Sequence, residues 1–230
     1  MSHSGEIVVA LVPVREGSQR VKDKNFRPFG EQPTLLHYKI AQLKEANCFE
    51  RIYVSSDSER ARRVAQECGV EFVPREPLMC TSTPRWDEVI VSIMQTLPGD
   101  PHVAWTLVTS PLCENYHEAV QRYREHLGPH DSLVGVKRLQ EYLVDEAGRP
   151  FFFSFGPWHP YTPELKPMFI INDAIYIAKK SDQIRWRYWF GLRPSLYEMP
   201  SLESISINFA EDWELAEAAY GYLSRRKLKV

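Results

Sequence analysis

The stretch VPVREGSQRVKDKN, Val12 to Asn25, gathers the residue types that hold a polyanion. Gly17 lets the backbone turn tightly and bring its N–H groups close to an anion, and Arg15, Arg20, Lys22 and Lys24 carry the opposing charge. Ser18 and Asn25 add a hydroxyl and an amide. Such a loop suits a triphosphate. A charged, solvated turn has the same composition, and on these features alone the two readings stand even. The other common phosphate and nucleophile patterns are missing: there is no GxxxxGK[ST], no GxGxxG after the first apolar run and no GxSxG.

A loop of this kind needs rigid elements to hold its ends. The 230 residues suit one large α/β domain, 1–230, with 43% apolar and 25% charged residues and no repeat or low-complexity tract. Lys+Arg (28) nearly balance Asp+Glu (30), so no overall basic field draws nucleic acid or an anionic membrane, and any anion site is local. Cys48, Cys68, Cys80 and Cys113 form no CxxC pair and have no His cluster beside them; they read as buried thiols. The apolar run Ile7 to Val14 is too short for a signal peptide or a membrane span, which points to a cytoplasmic protein whose first strand it forms.

Short Val, Ile and Phe runs alternate with helical stretches, the pattern of crossover helices covering a mostly parallel, doubly wound sheet. Strands are expected at Ile7–Val14, Arg51–Ser56, Val70–Pro74, Val103–Thr109, Ser132–Lys137, Phe169–Ala178 and Ser195–Pro200. Helices are expected at Leu35–Ala46, Ser58–Cys68 with Gly69 closing it, Arg85–Leu97, Asn115–Leu127 and Ala210–Leu223, the last running into a basic tail. From Gly148 to Pro167 the chain carries five prolines and four phenylalanines with a Trp and a Tyr, an excursion that suggests a functional flap or an interface. In open α/β sheets ligands bind beyond the carboxyl ends of the strands, so the residues just after each strand are the ones to examine.

Several of these strand ends resemble one family in order. Val12 to Gln19 through Lys24-Asn25 is similar to the (I/V)-P-A-R-x-G-S-(K/Q)-(x)5-K-N signature of the cytidylyltransferases that activate acidic sugars, the acylneuraminate, pseudaminate and legionaminate enzymes, with the 3-deoxy-octulosonate enzymes more distant. Val54-Ser55-Ser56-Asp57 resembles V-S-T-D, and Arg75 falls where R-P follows the third strand. Thr109-Ser110-Pro111-Leu112 matches T-S-P-L, Asn172-Asp173-Ala174-Ile175-Tyr176 resembles N-G-A-I-Y, and Glu211-Asp212-Trp213 resembles E-D-(W/L).

The resemblance implies a three-layer, Rossmann-like nucleotidyltransferase fold (GT-A-like) with a protruding dimerisation arm, here 148–168. It implies a homodimer acting on CTP and a small acidic sugar, giving a CMP-sugar and pyrophosphate for a bacterial surface glycan. Arg15 and Lys24 would hold the triphosphate and stabilise the departing pyrophosphate, with Gly17, Ser18 and Asn25 approaching it. Arg75, with a hydroxyl such as that of Ser82, would read the cytosine edge. Thr109, Ser110 and Asn172 would meet the sugar. For these, helix capping competes at Ser110 and Asp57, and a structural hydrogen bond competes at Asn172. Asp212 reads as a first-turn helix acid.

The sequence departs from the pattern in two places. Family members carry Asp-x-Asp before the last helix to hold Mg²⁺ (or Mn²⁺), whereas here the positions are Ser206-Ile207-Asn208, neutral oxygen donors that bind Mg²⁺ weakly; Glu203, Glu211 and Asp212 are the carboxylates nearby in sequence. Gln-Pro before T-S-P-L is Leu107-Val108, and the Arg after it is Cys113. Two further readings follow from these departures: a nucleotidyltransferase of the same fold with another nucleotide or acceptor, and a catalytically impaired nucleotide-binding homologue.

Overall fold

The computed structural model describes residues 6–18 and 20–227; Gln19 of the signature and the end of the basic tail lie outside the described residues. Seven strands form one sheet: β1 (Val8–Pro13), β2 (Ile52–Ser56), β3 (Glu71–Pro74), β4 (His102–Trp105), β5 (Ser132–Leu139), β6 (Met168–Lys179) and β7 (Pro194–Glu198). Their order across the sheet is β3-β2-β1-β4-β6-β5-β7. β6 runs antiparallel to both β4 and β5, and every other pairing is parallel. Among the described residues five α-helices connect them and a sixth follows the last strand: α1 (Leu35–Glu45), α2 (Glu59–Glu67), α3 (Trp86–Thr96), α4 (Tyr116–His126), α5 (Lys180–Trp186) and α6 (Ala210–Lys227).

The alternation along β1 divides the core into two layers. Val8, Ala10 and Val12 pack with apolar residues of α1, α2, α4 and α6 on one face, while Val9 and Leu11 pack with Val89, Ile90, Ile93 and Met94 of α3 on the other. Strands buried on both faces read as continuous apolar runs, which is why β1 and β2 were visible in the sequence. α1 starts where the Thr34 hydroxyl accepts from the His37 N–H, and α2 starts where the Ser58 hydroxyl accepts from the N–H groups of Arg60 and Ala61. Ser58, not Asp57, is therefore the cap of α2. Gly69 follows that helix with φ +62°, the left-handed close expected of it.

Three expectations about elements need correction. β4 ends at Trp105, four residues earlier than the apolar run suggests: the Thr106 N–H and hydroxyl both turn onto Leu11 O (2.9 and 3.2 Å), and Thr109 and Ser110 then sit on a turn. α5 was not anticipated; it is short and polar, and Gln183, buried within it, bonds to the Trp105 indole and to the carbonyls of Val103 and Ala178. Of the four thiols only Cys113 is buried, the other three being half-buried, and all four are free.

In this order β1 leads to β2 and β3 on one side while β4 lies on the other, so the chain switches direction between β1 and β4. The crevice beyond the carboxyl ends of those two strands is where an α/β sheet leaves room for a ligand. Among the described residues no helix is long and apolar enough to cross a membrane.

Candidate active site

The loop after β1 is built as a braced cradle. Gly17 adopts φ +75° with no atom near the position a Cβ would take, so backbone conformation and not space calls for glycine there. Asp23 is also left-handed (φ 54°), and it turns the chain into a short 3-10 helix, Lys24–Phe26. α2 holds this turn from outside: the Arg60 guanidinium forks onto both Asp23 oxygens (2.8 and 2.9 Å) and covers the Phe26 ring at 4.1 Å. The Ser58 hydroxyl, besides capping α2, donates to Glu16 Oε1 at 2.5 Å. Asn25 Nδ2 donates to Arg15 O at 3.0 Å and closes the loop on itself.

Arg75 and Lys24 tie this cradle to its neighbours. Arg75, at the end of β3, donates from Nη2 to Val14 O and from Nε to Cys80 Sγ (2.9 Å), while its own N–H meets Ser56 O at 2.9 Å. Arg15 Nη1 reaches the Ser82 hydroxyl at 3.2 Å. Lys24 Nζ donates to Ile207 O at 2.7 Å, and Ile207 N–H donates to Thr109 O at 2.7 Å. One chain of contacts thus joins the loop after β1, the turn after β4 and the segment before α6.

Together these elements enclose a cavity of about 710 Å³. Arg15, Gly17, Ser18, Lys24, Asn25, Arg75, Ser82 and Thr109 all line it, as do Arg20, Asp173 and Asn208. Among its described lining residues the charge is four cations (Arg15, Arg20, Lys24, Arg75) against one carboxylate, Asp173. Burial pushes the Lys24 ammonium down to about 8, helped by Arg20 and Arg15 and opposed by Asp212 and Asp173. Uncompensated positive charge on one wall is the electrostatic condition under which an anion would be favoured. The far wall is apolar: Met79, Trp86, Trp105, Tyr176 and Trp189 line it, with the Tyr176 and Trp189 rings stacked 5.6 Å apart.

Two of the residues expected to meet a sugar lie elsewhere. Asn172 is buried on β6 with its amide spent on the backbone, Nδ2 donating to Ser204 O at 2.6 Å and Oδ1 accepting from Ala174 N–H at 2.8 Å. It is not among the residues that line the cavity. Ser110 is fully buried behind the turn, and its hydroxyl has no protein partner. It is not a helix cap either, because α4 begins six residues later at Tyr116. Lys39 of α1, itself fully buried, fixes this turn by donating to Ser110 O at 2.7 Å, and Gln42 does the same to Pro111 O at 2.5 Å.

A divalent cation held by the protein does not fit the segment before α6. Ser206 and Asn208 offer neutral oxygens, and the carbonyl between them is occupied by the Lys24 ammonium. Asp212 accepts from the N–H groups of Asn208 and Phe209 (2.8 Å each), which caps α6. Glu203 accepts from Glu114 N–H and Asn115 Nδ2 away from the cavity, and Glu211 is exposed and does not line it. Among the described residues no cluster of three His, Cys, Asp or Glu could hold a metal.

A family model described as cytidylyltransferase matches residues 9–130, which takes in β1, its loop, Arg75, Ser82 and the turn after β4. The chain belongs to the cytidylyltransferase family. Among curated cytidylyltransferases it is 25% identical over 219 residues to the N-acylneuraminate cytidylyltransferase of Streptococcus agalactiae serotype V, an alignment covering 89% of this chain and 51% of that protein. It is 27% identical over 227 residues to the CMP-N,N'-diacetyllegionaminic acid synthase of Legionella pneumophila, covering 91% and 94%. The chain spans about half the length of the streptococcal relatives it matches. Solved structures share its fold: a CMP:2-keto-3-deoxy-manno-octonic acid synthetase complexed with CTP superposes with TM-score 0.66 at 13% identity, covering 94% of this chain and 99% of that one. A 4-diphosphocytidyl-2C-methyl-D-erythritol synthase from Anaerococcus prevotii gives 0.66 at 12%, covering 96% and 100%. The Rossmann-like nucleotidyltransferase fold expected from the sequence is thus present.

Some lining residues were not singled out from the sequence. Trp86, Trp105 and Trp189 come from α3, β4 and the connection after α5, and no local spacing links them. Asp173 did leave a trace: an acidic residue stands in a strand where the family motif has glycine.

Proposed function

We propose that this cytidylyltransferase condenses CTP with a small acidic sugar of the ulosonate or nonulosonate type, giving a CMP-sugar and pyrophosphate. The observation that carries the reading is the cationic cradle after β1, with Arg15, Arg20, Lys24 and Arg75 around one cavity in a chain whose family model matches over that same stretch. A hydroxyl oxygen of the sugar attacks the α-phosphorus; the new O–P bond forms as the bridging bond to the β-phosphate breaks, the hydroxyl proton passes to solvent, and pyrophosphate leaves in line. Arg15 and Lys24 neutralise charge on the leaving group, and Gly17 and Ser18 bring donors to it. Arg75 fixes the loop through Val14 O and, with the Ser82 hydroxyl that Arg15 holds, would read the cytosine edge.

The exposed aromatics of the arm, Phe152, Phe155, Trp158 and Tyr161, line none of this cavity. We read the arm as the face on which a second copy docks, in a cytoplasmic bacterial enzyme that works without nucleic acid or membrane. The neutral 206–208 segment favours one rival, a nucleotide-binding homologue without transfer activity. Both are tested by incubating the protein with each nucleoside triphosphate, Mg²⁺ and a panel of acidic sugars and reading products by mass spectrometry. A CMP-sugar with matched pyrophosphate is expected. Preference for another nucleotide would overturn the cytidylyl assignment, and thermal stabilisation by CTP without any product would favour the rival.

A further inference from the structure

The carboxylates expected before α6 are absent, yet one carboxylate stands in the cavity where the family motif has glycine. Asp173 is half-buried on β6, and its Oδ1 accepts from the Tyr176 hydroxyl at 2.6 Å, which fixes the side chain on the cavity wall. It lies close enough to Lys24 to raise that ammonium's pKa. A lone carboxylate in a pocket otherwise cationic repels a bare triphosphate. It becomes favourable only when a cation stands between the two. Mg²⁺ characteristically meets one or two protein carboxylates while substrate phosphates and waters fill the remaining positions. Asp212 and Glu203 are committed to backbone and side-chain donors, so neither competes for that role.

We propose that Asp173 is the carboxylate that receives the divalent cation carried in on the triphosphate, and that the chain holds no such cation before the nucleotide arrives. The four cations of the cradle bind phosphate oxygens directly, and the metal contact has moved from the segment before α6 to β6. This rests on the triphosphate reading of the cradle, but not on which base the nucleotide carries.

The test uses the full chain with Mn²⁺ as a paramagnetic probe and inorganic tripolyphosphate as a ligand without a base. Mn²⁺ alone is expected to show no saturable binding by electron paramagnetic resonance up to millimolar concentration, and micromolar saturable binding would overturn the proposal. Asp173→Asn keeps the side chain's shape and its acceptor for Tyr176. It is expected to weaken Mn²⁺-tripolyphosphate by about tenfold, the size of one charge-assisted contact, while metal-free tripolyphosphate in EDTA binds as well or better because a repelling charge is gone. Equal loss of both ligands, or no loss of the metal complex, would overturn the assignment, as would failure of tripolyphosphate to bind at all. A separate comparison of CTP with UTP, GTP and ATP reports on the cytidylyl reading: a protein that binds Mn²⁺-tripolyphosphate through Asp173 but does not prefer CTP keeps this inference and loses that one.

Discussion

Lys24 shows how one side chain joins fold and function. Its ammonium is buried and bonded to Ile207 O, with Arg15 and Arg20 near enough to disfavour its charge. Because its pKa in the free protein is about 8, a growing fraction of the protein carries a neutral Lys24 as pH rises through that value. A bound triphosphate favours the charged form, so binding above pH 8 takes up a proton and affinity falls as pH climbs. Calorimetry of CTP binding at pH 8.5 in buffers of different ionisation enthalpy is expected to reveal that uptake. Lys24→Met should abolish it and weaken CTP by about tenfold or more. An unchanged proton count in the variant would remove Lys24 from this role.

At the scale of elements, the site depends on helices that never touch the cavity. Ser58 caps α2 and also holds Glu16, so Ser58→Ala should cost about 1 kcal/mol in stability and loosen the loop after β1 as well. Chemical denaturation should give the first effect, and weaker CTP binding, out of proportion to the small stability loss, the second. α1 contributes through Lys39, fully buried, whose pKa burial brings down to about 8 from the usual 10.5. Between those two values the unfolded chain binds more protons than the folded one, so this group makes stability rise with pH. Lys39→Met is expected to remove that rise, measured as the wild-type minus variant difference in urea unfolding at pH 7.5 and pH 10. The sign is the test: a difference that grows in the variant's favour at high pH would contradict a lysine whose charge is disfavoured by burial beneath the Thr109–Leu112 turn.

For the whole molecule, the open question is what covers the arm. Phe152, Phe155, Trp158 and Tyr161 are 61–84% exposed, and Phe169, Ile170 and Ile171 at the start of β6 are exposed as well. Large exposed apolar side chains in number mark interaction surfaces, and aromatic residues are the ones enriched at interface centres. The full chain is expected to sediment at twice its 26.8 kDa mass. Replacing Trp158 and Tyr161 together by Ser should shift it to the single-chain mass with the melting temperature of the isolated chain's core preserved. A wild-type protein that sediments as a monomer would remove the second copy from the reading.

The cationic loop after β1 was legible without a structure because its residues are close in sequence: Arg15, Gly17, Ser18, Lys24 and Asn25 all fall on one loop, and Gly17 takes a left-handed backbone there. The strands buried on both faces were legible for a similar reason, since burial on both sides writes an unbroken apolar run. α5 left no such pattern, because it exists through the bonds of Gln183 to Trp105, Val103 and Ala178, partners 5 to 80 residues away. Likewise only packing could show that the Asn172 amide is spent on the protein's own backbone and that Ser110 is buried away from the cavity while Asp173 lines it: neighbours in a strand point to opposite sides, and a hydrogen-bond partner such as Ser204 O, 32 residues distant, decides which polar group is spent on the fold. The sequence by itself determined the cationic, glycine-turned loop after β1, the alternation of strand and helix and the neutral residues at 206–208 before α6. Tertiary structure alone decided which remaining carboxylate lines the cavity, because that depends on side-chain direction across elements and not on spacing along the chain.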